Sequence, residues 1–496
     1  MILNSTKRST VICAPTGFGK SPCVVAAALL SKKPTCIVTS SRSLQDQYLS
    51  DFSSIGMVDI RGRNNYSCDM HPEDPAYSCE QGYAARCPYK GTVACSCSQA
   101  EMRAATSSLV VTNYAKWCSA RRFGQGMAHF EQVIFDEGDS SYEALSQAMQ
   151  VILNHKEIED NLKLDFPDPS EAEDFANWKA WASFARGIAE QAMIAAQARI
   201  TGLSDPKPSW VKHFTHMRNL TRRLSTLATA NSKEWIVDEI EQGYQFDPIR
   251  PGRYAEAALL LRVPKIVFIS ATIRPKSMYM VGISKDQFDF KEFDSDFDPK
   301  RCPIYYVPAM RVDARNPDRT LLWLKLDQML AKRRDRKGIV QTTSYDTQKE
   351  VQAVSRFSDS MILNPKGEVP TEIVDRFKAA GDGAILVSPS VGVGHDFAGD
   401  LCRFNAILKI PFEPPSKILK AREADDKEYR SYRAMQKLVQ QLGRDVRSRT
   451  DWSERFIFDE HYSWFGPRYA HLAPASFHGF VKPTNVLPQP PAIGSL

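Results

Sequence analysis

The stretch Ala14-Pro15-Thr16-Gly17-Phe18-Gly19-Lys20-Ser21 decides how this chain is read. Its glycines, lysine and hydroxyl come in the order that a triphosphate-binding turn needs. Gly17 and Gly19 can take backbone angles closed to other residues, so successive N–H groups can point at phosphate oxygens, while Lys20 reaches the β- and γ-phosphates and Ser21 reaches Mg2+. Ala14 stands where the GxxxxGK(S/T) pattern has its first glycine. The flanks repair that defect. Thr10-Val11-Ile12-Cys13 is a short β-branched strand, and the Ala- and Leu-rich run from Cys23 to Leu30 is a helix whose N-terminus adds its dipole to the anion site. The bland alternative is a chance glycine turn.

A chain of 496 residues has a prior of about three domains. Hydrophobic residues at 43% and charged residues at 25% exclude a disordered or fibrous class. No apolar run reaches the roughly 18 residues of a membrane span, and Met1 to Thr10 is too polar for a targeting segment, so no membrane partner is expected. The net charge of +6 is compatible with a nucleic-acid partner but too small to select one. Eleven cysteines would suggest disulfides only in a short secreted chain; here they point to an intracellular protein with a metal site.

After the glycine turn, Thr35-Cys36-Ile37-Val38-Thr39 is a second buried strand, and Ser40 to Gln47 opens a helix with hydroxyls at its cap. This βαβα order begins a parallel sheet. From Arg61 to about Cys97 the pattern breaks: glycines and prolines crowd the stretch and five cysteines fall in it. Cys68, Cys79, Cys87 and Cys95 lie 11, 8 and 8 positions apart, with Cys97 two further on. No CxxC pair occurs in this insertion. Structural zinc sites usually take ligands in close pairs, so irregular thiolates in a loop-rich insertion favour an iron–sulfur cluster over zinc, with unliganded cysteines as a third reading. The αβ pattern then resumes, with a helix over Gln99–Thr106 and strands at Leu109–Thr112 and Val133–Glu137. The last strand ends in Asp136-Glu137, the second half of an ATPase site. Asp136 would hold Mg2+ through water and Glu137 would polarise the attacking water.

These residues, in this order, resemble the XPD/DinG family of superfamily 2 DNA helicases. The resemblance is carried by the phosphate loop, Arg61-Gly62-Arg63-Asn64-Asn65-Tyr66-Ser67-Cys68, Cys87-Pro88-Tyr89, Val110-Val111-Thr112-Asn113-Tyr114, Asp136-Glu137-Gly138-Asp139 and Ser270-Ala271-Thr272. Further on, Gln341-Thr342-Thr343-Ser344 is similar to motif IV, Ser388-Pro389-Ser390 through Gly394-His395-Asp396 to motif V, and Gln440-Gln441-Leu442-Gly443-Arg444-Asp445-Val446-Arg447 to motif VI. The resemblance implies that Cys68, Cys79, Cys87 and Cys95 ligate a 4Fe-4S cluster, with Cys97 the competitor for the fourth place. It also implies that Gly394 and Asp396 join the ATP site, and that Gln440, Arg444 and Arg447 complete it from a second lobe.

Two departures stand out. Ala14 lies too near Met1 for the upstream Gln segment that reads adenine in the family, and Asp-Glu-Ala-His has become Asp136-Glu137-Gly138-Asp139, so the role of the His falls to Asp139 or is lost. From Ser140 to about Lys233 the pattern is helical. Phe175, Trp178, Trp181, Phe184 and Ile188 form a stripe at helical spacing, read as core rather than as a base-stacking face. Arg218, Arg222 and Arg223 are candidates for phosphate contact, with an ordinary solvated face as the blander reading.

The expected architecture is α/β: two RecA-like P-loop motor domains with an iron–sulfur cluster insertion and a helical Arch-like insertion. Residues 1–61, 98–139 and 236–273 form the first motor domain, 62–97 the cluster domain, 140–235 the Arch-like domain and 274–472 the second motor domain. Residues 473–496, rich in proline, read as a disordered tail. The function implied is an ATP-dependent DNA helicase moving 5′ to 3′ on single-stranded DNA, monomeric, working at single-strand/duplex junctions in the cytoplasm of a bacterial or phage-infected cell. Its cofactors are ATP, Mg2+ and a 4Fe-4S cluster. The competing reading is an ATP-gated or redox-responsive single-strand clamp that does not unwind.

Overall fold

The computed structural model describes residues 1–492 apart from 75–76, 85–86, 123–129, 169–173, 204–205, 314, 368–369 and 390–396. Two seven-stranded, all-parallel sheets form the centres of two lobes. In the first the strands run in the order Phe288–Glu292, Ser9–Cys13, Lys265–Ser270, Gln132–Asp136, Thr35–Thr39, Leu109–Asn113 and Val58–Asp59. The strands that flank the phosphate loop in space are thus far from it in sequence. Ser9–Cys13, Thr35–Thr39 and Gln132–Asp136 are buried at every position, as parallel strands covered by helices on both faces must be.

The second lobe repeats the plan, with Met361–Leu363, Ile385–Ser388, Gly338–Gln341, Phe404–Ile407, Glu454–Asp459, Ile304–Met310 and Val481–Pro483 in order across the sheet. The first lobe puts the C-termini of Ser9–Cys13, Thr35–Thr39, Leu109–Asn113 and Gln132–Asp136 toward the cleft, where parallel α/β sheets bind ligands. Ion pairs clamp the lobes at the cleft edge, among them Lys276 with Asp426 at 2.8 Å and Arg433 with Glu143 at 2.8 Å.

The insertions differ from expectation in composition. Residues 141–229 hold the helices Ser141–Met149, His155–Leu162, Phe175–Ile200 and Pro208–Thr229, but the strand Val151–Asn154 joins Gly243–Pro248 and Trp235–Ile240 in an antiparallel sheet. The first lobe therefore resumes at Lys265 rather than at residue 236, and it keeps Phe288–Glu292 as an edge strand past the expected boundary at 274. The aromatic stripe is core at its start: Phe175 and Trp178 are buried against Trp235, Tyr244 and Phe246, while Phe184, at 63% exposed, has left the packed face. Cys68 and Tyr77 of the cysteine-rich insertion share a small core with Ile200, Val211 and Phe214 of the long helices, so the two insertions pack as one body.

The tail is a correction. Val481–Pro483 adds to the sheet edge beside Ile304–Met310, where the N–H that Pro483 lacks costs nothing, and Phe477, Phe480 and Leu487 are buried. Composition hid this because cations supply what core formers do not: Lys332, Arg333 and Arg336 donate to the carbonyls of Leu487, Pro488 and Pro491 at 3.1, 3.3 and 3.1 Å.

Arg333 is the centre of that arrangement. At 1% exposed it forks onto Glu454 at 2.6 and 2.8 Å and lies over the Phe456 ring. Arg333→Met would leave Glu454 buried without its cation and is expected to cost about 3–5 kcal/mol, read from the urea midpoint of the second lobe. Adding Glu454→Leu should recover most of that loss, because the pair is far cheaper to replace than to break.

Candidate active site

The phosphate loop lies between the strand Ser9–Cys13 and the helix Lys20–Ser31. Gly17 and Gly19 take φ of 78° and 75°, the left-handed region where a side chain is strained. Ala14 needs no such freedom: its φ is not positive, it is fully buried, and its N–H donates to the Ser270 carbonyl at 3.0 Å. That is why alanine serves where the pattern has glycine. Lys20 opens the helix with its Nζ 3.4 Å from the Pro15 carbonyl.

Thr16, Gly17, Gly19, Lys20, Ser21, Asp136 and Glu137 from the first lobe and Gln440, Arg444 and Arg447 from the second line one cleft of about 890 Å3. Pro15 lines the cavity next to it. Phe18 lies on neither wall; it is exposed, and its ring sits 5.0 Å from that of Phe293. Gly394 and Asp396 lie outside the described residues.

Asp136 ends its strand buried, and Glu137 turns sharply after it with φ 50° and ψ 51°. A non-glycine residue in that region costs about 1–3 kcal/mol and is characteristic of functional sites. The Glu137 N–H donates to Asp136 Oδ1 at 2.9 Å, and Ser270 donates to Glu137 Oε2 at 3.3 Å. Burial, and then the neighbouring Glu137 charge, push the Asp136 carboxyl up to about 6. Asp139, also buried, accepts from Thr272 Oγ1 and Gln440 Nε2, both at 2.5 Å.

Tyr48 belongs to the site and was not read from the sequence. It is buried, its hydroxyl donates to Asp136 Oδ2 at 2.7 Å, and it also hydrogen-bonds Ser21, so one phenol joins the two groups suited to hold Mg2+. A single tyrosine within the helix Arg42–Phe52 carries no local signal for this. Gln341 of the motif IV stretch turns inward instead, donating to Asn405 Oδ1 at 2.8 Å and the Gln441 carbonyl at 3.0 Å.

The five cysteines of the insertion meet. Cys68, Cys79, Cys87, Cys95 and Cys97 line one cavity of about 20 Å3 together with Arg63 and Gly82. A Cβ on Gly82 would come within 2.9 Å of Cys68 Sγ, so only glycine lets the short helix Cys79–Ala84 lie on that sulfur. Cys95 Sγ accepts the Ser98 N–H at 3.4 Å. Its hydrogen bond with Cys97, and then burial, raise the Cys79 thiol, while the same bond lowers Cys97. Among the described residues no three His, Cys, Asp or Glu side chains are spaced to hold a single metal ion. Of the basic residues on the long helix, Arg218 pairs with Glu80 at 2.6 Å and Arg223 pairs with Glu157.

Residues 328–479 match the helicase C-terminal domain family, which places motif VI inside a recognised domain. The whole chain also superposes on the XPD helicase, at 13% identity and a TM-score of 0.67 over 96% of each chain. The chain has the fold of XPD-like superfamily 2 helicases. Apo XPD aligns at 13% identity and a TM-score of 0.64 over 96% of this chain and 97% of its own. S. tokodaii Xpd4 aligns at 14% identity and a TM-score of 0.62 over 97% of both. No curated protein matches the sequence. The family match covers one lobe, and the fold of the chain, two RecA-like lobes with two insertions, is that of XPD. No helix among the described residues is long and apolar enough to cross a membrane.

Tyr48→Phe keeps the ring and removes the bond to Asp136. Partners behind a metal ligand are typically worth ten- to hundredfold in affinity, so the Mg2+ concentration for half-maximal ATP turnover should rise roughly tenfold. An unchanged Mg2+ dependence would separate Tyr48 from the site.

Proposed function

We propose that this chain is an ATP-driven DNA helicase that moves 5′ to 3′ on a single strand, works as a monomer at single-strand/duplex junctions, and carries a 4Fe-4S cluster on Cys68, Cys79, Cys87 and Cys95. The observation that supports the motor reading is the composite cleft, in which Lys20, Ser21, Asp136 and Glu137 of one lobe face Gln440, Arg444 and Arg447 of the other. Lys20 offsets ground-state phosphate charge, and the two arginines stabilise charge that develops on the transferring phosphoryl group. Glu137 orients and polarises the attacking water. Ser21, and Asp136 through water, would hold Mg2+, which would supply charge compensation to the phosphates. Gly394 and Asp396 join the nucleotide site by resemblance alone. Since the arginines sit on the second lobe, hydrolysis needs the cleft closed, and release of products lets the lobes part. That cycle moves the lobes along the strand.

The cysteine cavity supports the cluster. Five buried or half-buried thiols around one space, with Arg63 beside them, suit a group that binds thiolates, and bound cluster would cross-link a glycine- and proline-rich loop. The Ser98 N–H on Cys95 favours it as the fourth ligand, because a thiolate gains from such a donor. Direction and the preference for DNA rest on the resemblance to XPD/DinG helicases.

The test is strand displacement with duplexes bearing a 5′ or a 3′ single-stranded tail. Wild-type protein should open the 5′-tailed substrate, Lys20→Ala should lose about a hundredfold or more in ATP turnover and all unwinding, and Cys79→Ser should lose unwinding more than hydrolysis. Binding and ATP turnover without displacement would support the clamp instead, and preferential opening of the 3′-tailed duplex would reverse the direction. In anaerobically purified protein the visible absorbance should survive Cys97→Ser and vanish in Cys95→Ser; stoichiometric zinc without iron would remove the cluster.

A further inference from the structure

The helix Lys417–Asp425 belongs to the second lobe in sequence and is bonded to the antiparallel-sheet insertion in space. The first turn of a helix leaves N–H groups without intrahelical partners. Here the Ser416 hydroxyl accepts from the Leu419 N–H and the Ser416 carbonyl from the Lys420 N–H, both at 3.1 Å. The other two N–H groups, of Lys417 and Ile418, donate to Oδ1 and Oδ2 of Asp238 at 2.9 and 3.1 Å. Asp238 lies on the strand Trp235–Ile240, so a carboxylate from a distant part of the chain completes the cap. Its charge also matches the positive end of the helix dipole.

Further along the helix, Arg422 lies 5.6 and 5.7 Å from the ring centroids of Tyr142 and Tyr429 and donates to Ser146 Oγ at 2.9 Å and the Pro248 carbonyl at 3.1 Å. Pro248 ends the strand that pairs with Trp235–Ile240. At the C-terminal end Asp425 accepts from Arg250 Nε at 2.8 Å. Leu419 is buried in one core with Leu145, Trp235 and Val237. The chain just before the helix is held by the second lobe instead: Phe412 stacks on Trp464 and meets Phe465 edge-on at 5.1 Å. Exposed Pro414 and Pro415 join the two attachments.

The sheet that receives this helix is also the root of the long helices. Trp235 packs on Phe175, where the helix Phe175–Ile200 begins, and Ile200 at its far end shares a core with Cys68 and Tyr77. A run of packed elements thus joins the second lobe to the cysteine-rich body, and Asp238, Trp235 and Arg422 stand off the wall of the nucleotide cleft. We propose that the helix Lys417–Asp425 is a pin that fastens the second lobe to the antiparallel sheet, so that movement of the second lobe is carried into the long helices and the cysteine-rich body. Asp238 and Arg422 are its positioning residues. This rests on the reading of the chain as an ATP-driven helicase. Freeing the pin leaves the nucleotide site intact and takes away the effect of each turnover on the duplex.

The test reads three quantities on each variant: DNA-stimulated ATP turnover, strand displaced per ATP from the 5′-tailed duplex, and amide hydrogen exchange over residues 417–425. Asp238→Ala and Arg422→Met should raise exchange in the helix and lower displacement per ATP by at least about fivefold, with turnover within about threefold of wild type. Asp238→Asn keeps a capping oxygen and should stay near wild type in all three. Arg422→Lys should not rescue, because a compact ammonium cannot reproduce a planar fork held between two rings. Unchanged displacement per ATP in Asp238→Ala despite raised exchange would overturn the pin, as would turnover falling in step with displacement, or unchanged helix exchange in both variants. Asp238 is only half-buried, so Asp238→Ala decides the matter even where Arg422→Met does not fold. Absent ATP turnover in wild-type protein would remove the motor reading and the pin with it, whereas wild-type turnover with normal displacement by Asp238→Ala removes the pin alone.

Discussion

No side chain fits on the α-carbon of Gly17. A Cβ there would lie 3.0 Å from the backbone oxygen of Arg447 and 2.6 Å from the ring of Phe297, and the φ of 78° would strain it even in open space. The second lobe thus touches the phosphate loop with its main chain, at the residue whose side chain is one of the two cleft arginines. The rest of the molecule is arranged to make that approach possible. Each lobe has its own parallel sheet and core, so each is rigid, and the freedom between them is concentrated at the cleft.

The acids at the floor of the cleft are held against their own repulsion. Asp136 and Asp139 are both buried within one short turn, and burial with the charge of Glu137 pushes both carboxyls up. Tyr48, Thr272, Gln440 and Ser270 supply the donors that make such a cluster tolerable, and all four lie more than 80 residues from the acid they serve. A site of this kind is prepared for cations. Lys20 and the cleft arginines stand opposite, and a dication between Ser21 and Asp136 would meet a carboxylate already aimed by Tyr48.

What the sequence made legible was whatever depends on neighbours in the chain. Thr35–Thr39 is read residue for residue because an apolar centre, Cys36 to Val38, between β-branched threonines marks a strand buried on both faces, and the loop from Ala14 to Ser21 is read because glycine positions and a lysine are local. The two-lobe architecture follows from repeated βα alternation. The sheet of Val151–Asn154, Gly243–Pro248 and Trp235–Ile240 was hidden, because its strands are short and the first of them pairs with Gly243–Pro248 across 88 intervening residues. The tail was misread for a related reason: its order comes from arginine and lysine side chains far upstream, which no local composition can display. At the site, Asp136 and Glu137 were legible from their strand, whereas Tyr48 and the double acceptance by Asp139 exist only once distant elements meet. Asp139, where the resemblance to XPD/DinG helicases leads one to expect histidine, was visible; its two donors were not.

The central claim is that one triphosphate is held by the first lobe and turned over only with the second. Arg444→Ala tests it most directly, since Arg444 lies on the cleft wall of the second lobe and outside the phosphate loop. Binding of a slowly hydrolysed ATP analogue and steady-state ATP hydrolysis would be measured on the same preparation. The account predicts an analogue Kd within about threefold of wild type and turnover lowered by about a hundredfold or more, because the arginine acts on charge that develops only in the transition state. Wild-type turnover in Arg444→Ala would contradict it.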